Sequence, residues 1–360
     1  MKLQTLSALI LLCANIAHGA VINISFDHQR PDTLLVRCVA IADLATDHTY
    51  PTIDTVAVTS PKISLPYKIT QPYRFTISPM YQDYNSATLY IAPTDTIDIA
   101  VERRDLSKAR ISGTDLMNSI NAYRHTVSDL SNRITDSIAD SGEWIMAQYR
   151  FNYDYTLAHR NDPVAIESLG CMPVAMAESI IDSIGLQARQ SILQPIYRRI
   201  TSNVEKFRMT KVAQQATSVG ATAPDFTLAD ANGNPVSLSQ FRGQWVLIDF
   251  WGTWCGWCIK GFPALREFQS RYADKCTVIG VACHDAKDSW MGFINAHRLP
   301  WINLWNDPES HGDSNVERIY GLESYPTKLL IDPQGKIMLK VIGENPDFYN
   351  KAETIIDFNL

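Results

Sequence analysis

The most specific chemistry in this chain lies in the run FWGTWCGWCIKGFPAL, Phe250 to Leu265, where Cys255 and Cys258 stand in a C-x-x-C spacing among tryptophans. Such a pair has three uses: disulfide exchange, half of a zinc site, or two inert core thiols. Exchange needs one thiol that ionises easily and a second within reach of it. The buried-strand pattern WVLIDFW ends at Trp251, which places Cys255 at the start of a helix. Unpaired backbone N–H groups and the helix dipole favour negative charge there. A thiol so placed has its pKa lowered, and the thiolate is the nucleophile. Cys258 follows by nearly one helical turn, so it can attack a mixed disulfide formed at Cys255 and release the substrate.

Asp249 interrupts the apolar strand six residues before Cys255. A carboxylate in a buried strand is costly unless paired or protonated. Its pKa is expected to be raised, which suits it to accept the Cys258 proton. The alternative is an Asp hydrogen-bonded for structure at a strand end. Zinc requires four ligands, usually with a second close pair. No second C-x-x-C or H-x-x-x-H follows, and Cys276 and Cys283 are separated by a strand of roughly 23 Å if extended. They cannot close one site or bridge each other, and they are expected to be buried. For Cys38 and Cys171 burial is the simpler reading, with a bridge between them as the alternative.

Three kinds of pattern flank these residues. Over 20–112, runs rich in β-branched and aromatic residues (VINISFDH, TLLVRCVAIADL, TVAV, ISLPYKI, YRFTI, ATLYIA, DTIDIAV) predict a small antiparallel all-β sandwich-like domain. Over 113–216, apolar residues recur at three and four, as in Leu116, Ile120, Tyr123 and Val127, and again from Met176 and from Ile192, which predicts amphipathic helices. Gly113, the Gly142 region and Gly185 read as breaks between them. Over 217–360, strands at PDFTL and PVSL, then strand, helix, strand, helix, a hairpin around Asp332–Gly335 and a last helix from Pro346 predict an α/β domain with a mixed sheet. Residues 1–19 read as a signal peptide: Lys2, a short apolar run, and Ala17-His18-Gly19 as a cleavage pattern. The run is shorter than the roughly 20 residues a spanning helix needs. The mature chain is expected to be exported, periplasmic or in the cell envelope.

Composition supports a globular protein: of 360 residues 46% are hydrophobic and 19% charged, and the net charge of −6 comes without a basic run. Neither nucleic-acid binding nor polybasic membrane association is expected. Six cysteines would remain after cleavage, too few for a disulfide-dense scaffold.

The segment Phe226 to Gly343 resembles the thioredoxin-fold domain of TlpA-like and ResA-like thiol–disulfide oxidoreductases, near the alkyl hydroperoxide reductase superfamily. The resemblance rests on PDFTL, SLSQFRGQWVLIDFW, WCGWC, Pro263 and Tyr325-Pro326-Thr327. It implies that Pro326 is cis and packs beside the cysteines, with neighbouring backbone binding the substrate chain, and that Asp249 is the family's buried acid. Trp251 and Trp254 would shape an apolar rim, and Trp257 would contact substrate or shield Cys258. The β-rich N-terminal region resembles that of exported multidomain relatives. Many relatives carry Glu shortly after the cysteine pair or between its members; here Gly261 and Gly256 stand there.

The expected function is thiol–disulfide exchange with exported protein thiols and disulfides through Cys255 and Cys258, with reduction or isomerisation favoured. No metal or organic cofactor is called for, and a membrane or periplasmic redox partner would recharge the pair. A peroxiredoxin-like peroxidase is the second reading, although Thr253 lies two residues before Cys255 rather than three. A non-catalytic binding or assembly protein using the front half is the third. That half has its own open roles: binding a partner, positioning the redox domain, or forming a homodimer.

Overall fold

The computed structural model describes residues 19–27, 29–45, 50–82, 85–103, 105–135, 141–310 and 315–358. Apart from Gly19, the expected signal peptide lies outside them. The chain divides into two compact units, Met1–Val204 and Glu205–Leu360.

The first unit opens with eight strands: β1 (Ala20–Phe26), β2 (Thr33–Ala40), β3 (Thr52–Ala57), β4 (Lys62–Tyr67), β5 (Tyr73–Pro79), β6 (Ala87–Ile91), β7 (Thr96–Val101) and β8 (Arg110–Ser112). They form two four-stranded sheets, β4-β1-β7-β8 and β3-β2-β5-β6. Ala20, Ile22, Ile24 and Phe26 alternate inward from β1 and share one core with Leu34, Val36, Phe75 and Ile77 of the other sheet. Strand periodicity therefore produces the expected sandwich. It is not purely antiparallel, because β1 and β7 pair in parallel. Five intervening strands supply the long connection that parallel pairing needs.

Six helices follow: α1 (Asp115–Thr135), α2 (Ser141–Ala158), α3 (Val164–Leu169), α4 (Val174–Ile180), α5 (Leu186–Arg189) and α6 (Gln194–Ala216). Pro195 sits at the second position of α6, where its missing N–H costs nothing. The Gly142 region marks the start of α2, as expected, but no apolar period announced the helix itself. Its buried face carries polar groups. Asn152 accepts from the Tyr123 hydroxyl at 2.8 Å, and Thr156 shares a 2.8 Å bond with Ser168. An apolar period was therefore absent from a helix that is nonetheless packed.

The second unit contains β9 (Thr227–Asp230), β10 (Pro235–Ser237), β11 (Trp245–Trp251), α7 (Gly256–Tyr272), β12 (Cys276–Ala282), α8 (Lys287–His297), β13 (Ile302–Trp305), α9 (Val316–Tyr320), β14 (Thr327–Ile331), β15 (Ile337–Ile342) and α10 (Asp347–Phe358). The strands form one sheet, β10-β9-β13-β12-β11-β14-β15. Strands β11, β12 and β13 run parallel, and β14 lies antiparallel to β11. This is a thioredoxin-like domain. Strand β13 and helix α9 went unanticipated because both are short; Asn315 caps α9 by accepting from the backbone N–H groups of Glu317 and Arg318.

Every residue of β11 is buried. Val246, Ile248 and Phe250 enter one core with Leu329 and Tyr320. Trp245, Leu247 and Trp251 enter the other, with Cys258, Phe262, Leu265 and Phe268 of α7. By the same alternation Asp249 points to the α7 side.

Candidate active site

The topology gathers the site at one edge of the sheet. Cys255 follows the carboxyl end of β11, and Cys283, His284 and Asp285 follow that of β12. Because β14 is antiparallel, with Thr327 opposite Phe250, Tyr325 and Pro326 come to the same edge. Ligands of open α/β sheets bind outside the carboxyl ends of parallel strands.

Cys255 is the N-cap of α7, and its Sγ accepts from the backbone N–H of Cys258 at 3.2 Å. The two cysteines are disulfide-bonded, with Cα atoms 5.3 Å apart. They differ in access: Cys255 is 6% exposed and Cys258 0%, so an incoming sulfur meets Cys255 first. The preceding loop is clamped by buried Asp285, which accepts from Thr253 N–H at 2.9 Å and from its hydroxyl. The exposed Trp254 donates its indole N–H to the Cys283 carbonyl at 3.0 Å. Gly252 is required beneath it, because a Cβ would lie 2.4 Å from that indole nitrogen. Pro263, inside α7, removes the N–H that would meet the Ile259 carbonyl.

The peptide bond between Tyr325 and Pro326 is cis. The Pro326 carbonyl accepts from Gly343 N–H at 2.7 Å. Tyr325 stacks edge-on against Trp254, with ring centroids 5.3 Å apart, and donates to Glu317. His284, in the left-handed backbone region, approaches the same Glu317 at 2.7 Å. Trp257 stands exposed between the cysteines, with the Lys260 ammonium 4.8 Å from its ring centre. That contact places Lys260 on the tryptophan face.

Asp249 and Lys328 are cross-strand partners on β11 and β14, and each is 1% exposed. Their charged ends are 3.7 Å apart, while Lys328 meets Glu344 at 2.5 Å. Burial raises the Asp249 carboxyl to about 6; Lys328 opposes the rise and Glu344 reinforces it. Asp249 Oδ1 has no hydrogen-bond partner among the described residues. Glu344 reaches in from the segment between β15 and α10, and its carboxylate lies 2.4 Å from where a Gly261 Cβ would be. The helix position where many relatives carry Glu is thus open, and a carboxylate fills that space from elsewhere.

All seven expected site residues, Asp249, Trp254, Cys255, Trp257, Cys258, Tyr325 and Pro326, belong to this one region of the second unit. Lys328, Glu344, Glu317 and Asp285 were not anticipated, and His284 had a place only as one extra candidate ligand for an incomplete zinc set. For Lys328 a signal existed: it breaks the apolar strand TKLLI as Asp249 breaks WVLIDFW. Cys276 and Cys283 are free and buried as expected, and burial pushes the Cys276 thiol up to about 12. Cys38 and Cys171 are free rather than bridged; Cys171 is exposed, which overturns the burial reading for it. Its thiol nonetheless turns toward the buried Tyr123 hydroxyl, and desolvation pushes its pKa up.

A cis-proline loop at the same sheet edge as an N-capping cysteine of a C-x-x-C pair, on a thioredoxin-like sheet, is the arrangement of a thiol–disulfide oxidoreductase. Residues 219–340 match the AhpC/TSA family model. The chain is 31% identical over 129 residues to the thiol-disulfide oxidoreductase ResA of Geobacillus thermodenitrificans, covering 36% of this chain and 71% of that protein. It is 35% identical over 121 residues to the thioredoxin-like protein YneN of Bacillus subtilis, covering 33% and 68%. Among solved structures, the thioredoxin domain of a thiol-disulfide oxidoreductase from Bacteroides vulgatus shares 31% identity, with 39% of this chain and 98% of that one covered and a TM-score of 0.36. The chain belongs with the ResA-like thiol–disulfide oxidoreductases. No helix among the described residues is long and apolar enough to cross a membrane.

Proposed function

We propose that the protein reduces or isomerises disulfides of exported proteins, with Cys255 as the attacking thiol, Cys258 as the resolving thiol and Asp249 as the proton acceptor. The observation that carries this reading is the asymmetry of the pair: the helix-capping Cys255 is the reachable sulfur, and Cys258 lies behind it. In the reduced enzyme the Cys255 thiolate attacks one substrate sulfur. A mixed disulfide forms, the substrate S–S bond breaks, and the leaving sulfur takes a proton from solvent. Asp249 then accepts the Cys258 proton, and the Cys258 sulfur attacks Cys255 Sγ. The mixed disulfide breaks, and the second substrate sulfur leaves as a thiolate. The substrate gains two electrons, and the pair closes to its disulfide. A membrane or periplasmic redox partner returns the electrons, and no metal or organic cofactor takes part.

Trp254, Trp257 and Tyr325 form the apolar surface on which the substrate chain lies beside Pro326. The reducing direction is supported by the charges under Cys258. Two carboxylates, Asp249 and Glu344, share one ammonium, Lys328. That leaves no surplus positive charge to stabilise a thiolate, and a less stable thiolate form makes a pair more reducing. Residues 217–360 act as the redox domain, and 20–216 present it to partner proteins or to a second copy. A Cys258→Ser variant incubated with a disulfide-bonded test protein should accumulate a mixed disulfide through Cys255, seen on non-reducing gels and by mass spectrometry. Failure to trap, or trapping by Cys255→Ser instead, would overturn the assignment.

A further inference from the structure

The second carboxylate, which lies against Gly261 on the buried face of α7, is not explained by thiol exchange alone. Cys258 and Gly261 are three residues apart on the buried face of α7, so they are neighbours along it. Gly261 leaves the space into which Glu344 inserts. Glu344 takes the nearer hold on Lys328, at 2.5 Å against 3.7 Å for Asp249. The longer separation exceeds hydrogen-bond range. Burying two carboxylates and a lysine is expensive, and replacing such a group by apolar residues is often stabilising. Stability alone does not account for the triad.

We propose that Glu344 is a positioning residue for the resolving step: it draws Lys328 away from Asp249 and so keeps Asp249 a base beneath Cys258. Without Glu344, Lys328 would pair with Asp249 directly, and the carboxylate would become an ordinary, weakly basic ion-pair partner. The Gly343 N–H to Pro326 carbonyl bond holds the Glu344 segment against the cis-proline loop, so the base is tied to the surface where substrate docks. This deepens the proposed function and rests on the Cys255–Cys258 assignment.

The other titratable groups facing Asp249 are few. Tyr349 comes from α10 and Cys283 from the end of β12; burial holds both neutral well above the physiological range. Cys258 is on the buried face of α7, the side toward which Asp249 points. The charges nearest Asp249 are therefore those of Lys328 and Glu344.

The test is the pH profile of mixed-disulfide resolution in the full-length protein, followed by stopped-flow tryptophan fluorescence. An opposite charge at this distance moves a carboxyl by about 1–3 units. Glu344→Gln frees Lys328 for Asp249, and its acid limb should move to lower pH by about one unit. Lys328→Gln removes the cation, and its acid limb should move to higher pH by a similar amount. Gly261→Ala, which displaces the Glu344 carboxylate without changing charge, should shift in the same direction as Glu344→Gln. A merely structural triad would lower rates without opposed shifts. Shifts of the same sign, or none, would overturn the proposal, and if Lys328→Gln does not fold, the Glu344→Gln and Gly261→Ala arms decide it. Exchange that survives Cys255→Ser would instead overturn the parent reading.

Discussion

Replacing Asp249 by Asn should make the protein more stable at neutral pH and slower at its reaction. Burial lifts the carboxyl from 3.8 to about 6. Below both values the folded and unfolded chains are equally protonated, and the group contributes nothing. Between them the unfolded chain ionises first, so stability falls as pH rises, and above about 6 the penalty is constant. Each unit is worth about 1.4 kcal/mol, which makes the penalty at pH 7.5 about 3 kcal/mol. The variant does not titrate. Its unfolding free energy relative to wild type should therefore increase by about 2.4 kcal/mol between pH 4, where the unfolded carboxyl is already partly ionised, and pH 7.5. Using the difference between two pH values cancels the constant effect of placing an amide beside Lys328. Seven of the eight tryptophans lie in Glu205–Leu360, so urea unfolding followed by fluorescence reports on the right unit. The same variant should slow resolution by about 100-fold, in the usual range for loss of a general base. A pH-independent stability difference would refute the argument, since Asp249 would then not be held protonated by burial.

Two other outcomes follow from the packing. Gly252→Ala puts a Cβ 2.4 Å from the Trp254 indole nitrogen; it should break the bond to the Cys283 carbonyl, cost about 1–3 kcal/mol in urea unfolding and raise KM for protein substrates. Maleimide labelling of the folded, oxidised protein should modify Cys171 slowly, since desolvation raises its thiol pKa, and leave Cys276 and Cys283 untouched until denaturant is added, because only Cys171 among these is exposed.

The legible parts of this protein were those written in short-range pattern. The alternation of β1, the continuous apolar run of β11 and the turn at Asp332–Gly335 each follow from residue spacing. So did the candidate cysteine and acid, because Cys255 and Asp249 each break a local rule, a thiol at a helix start and a charge in a buried strand, whereas Pro326 alone reads only as a turn and came from the family resemblance. What escaped depends on contacts between distant segments. Glu344 sits in a loop whose sequence has no period, and its meaning appears only where Gly261 leaves room for it. Helix α2 hid its buried face behind Asn152 and Thr156, whose burial makes sense only against Tyr123 and Ser168. The parallel pairing of β1 with β7 joins strands separated by most of the sandwich.

The reduction potential of the Cys255–Cys258 pair tests the central claim most directly. Equilibration of the full-length protein with dithiothreitol or glutathione, with Cys255→Ser as control, should give a reversible two-electron couple near about −270 mV. A value near about −120 mV would make the protein an oxidant and contradict the proposed direction. The absence of any reversible couple would contradict the assignment of the site itself.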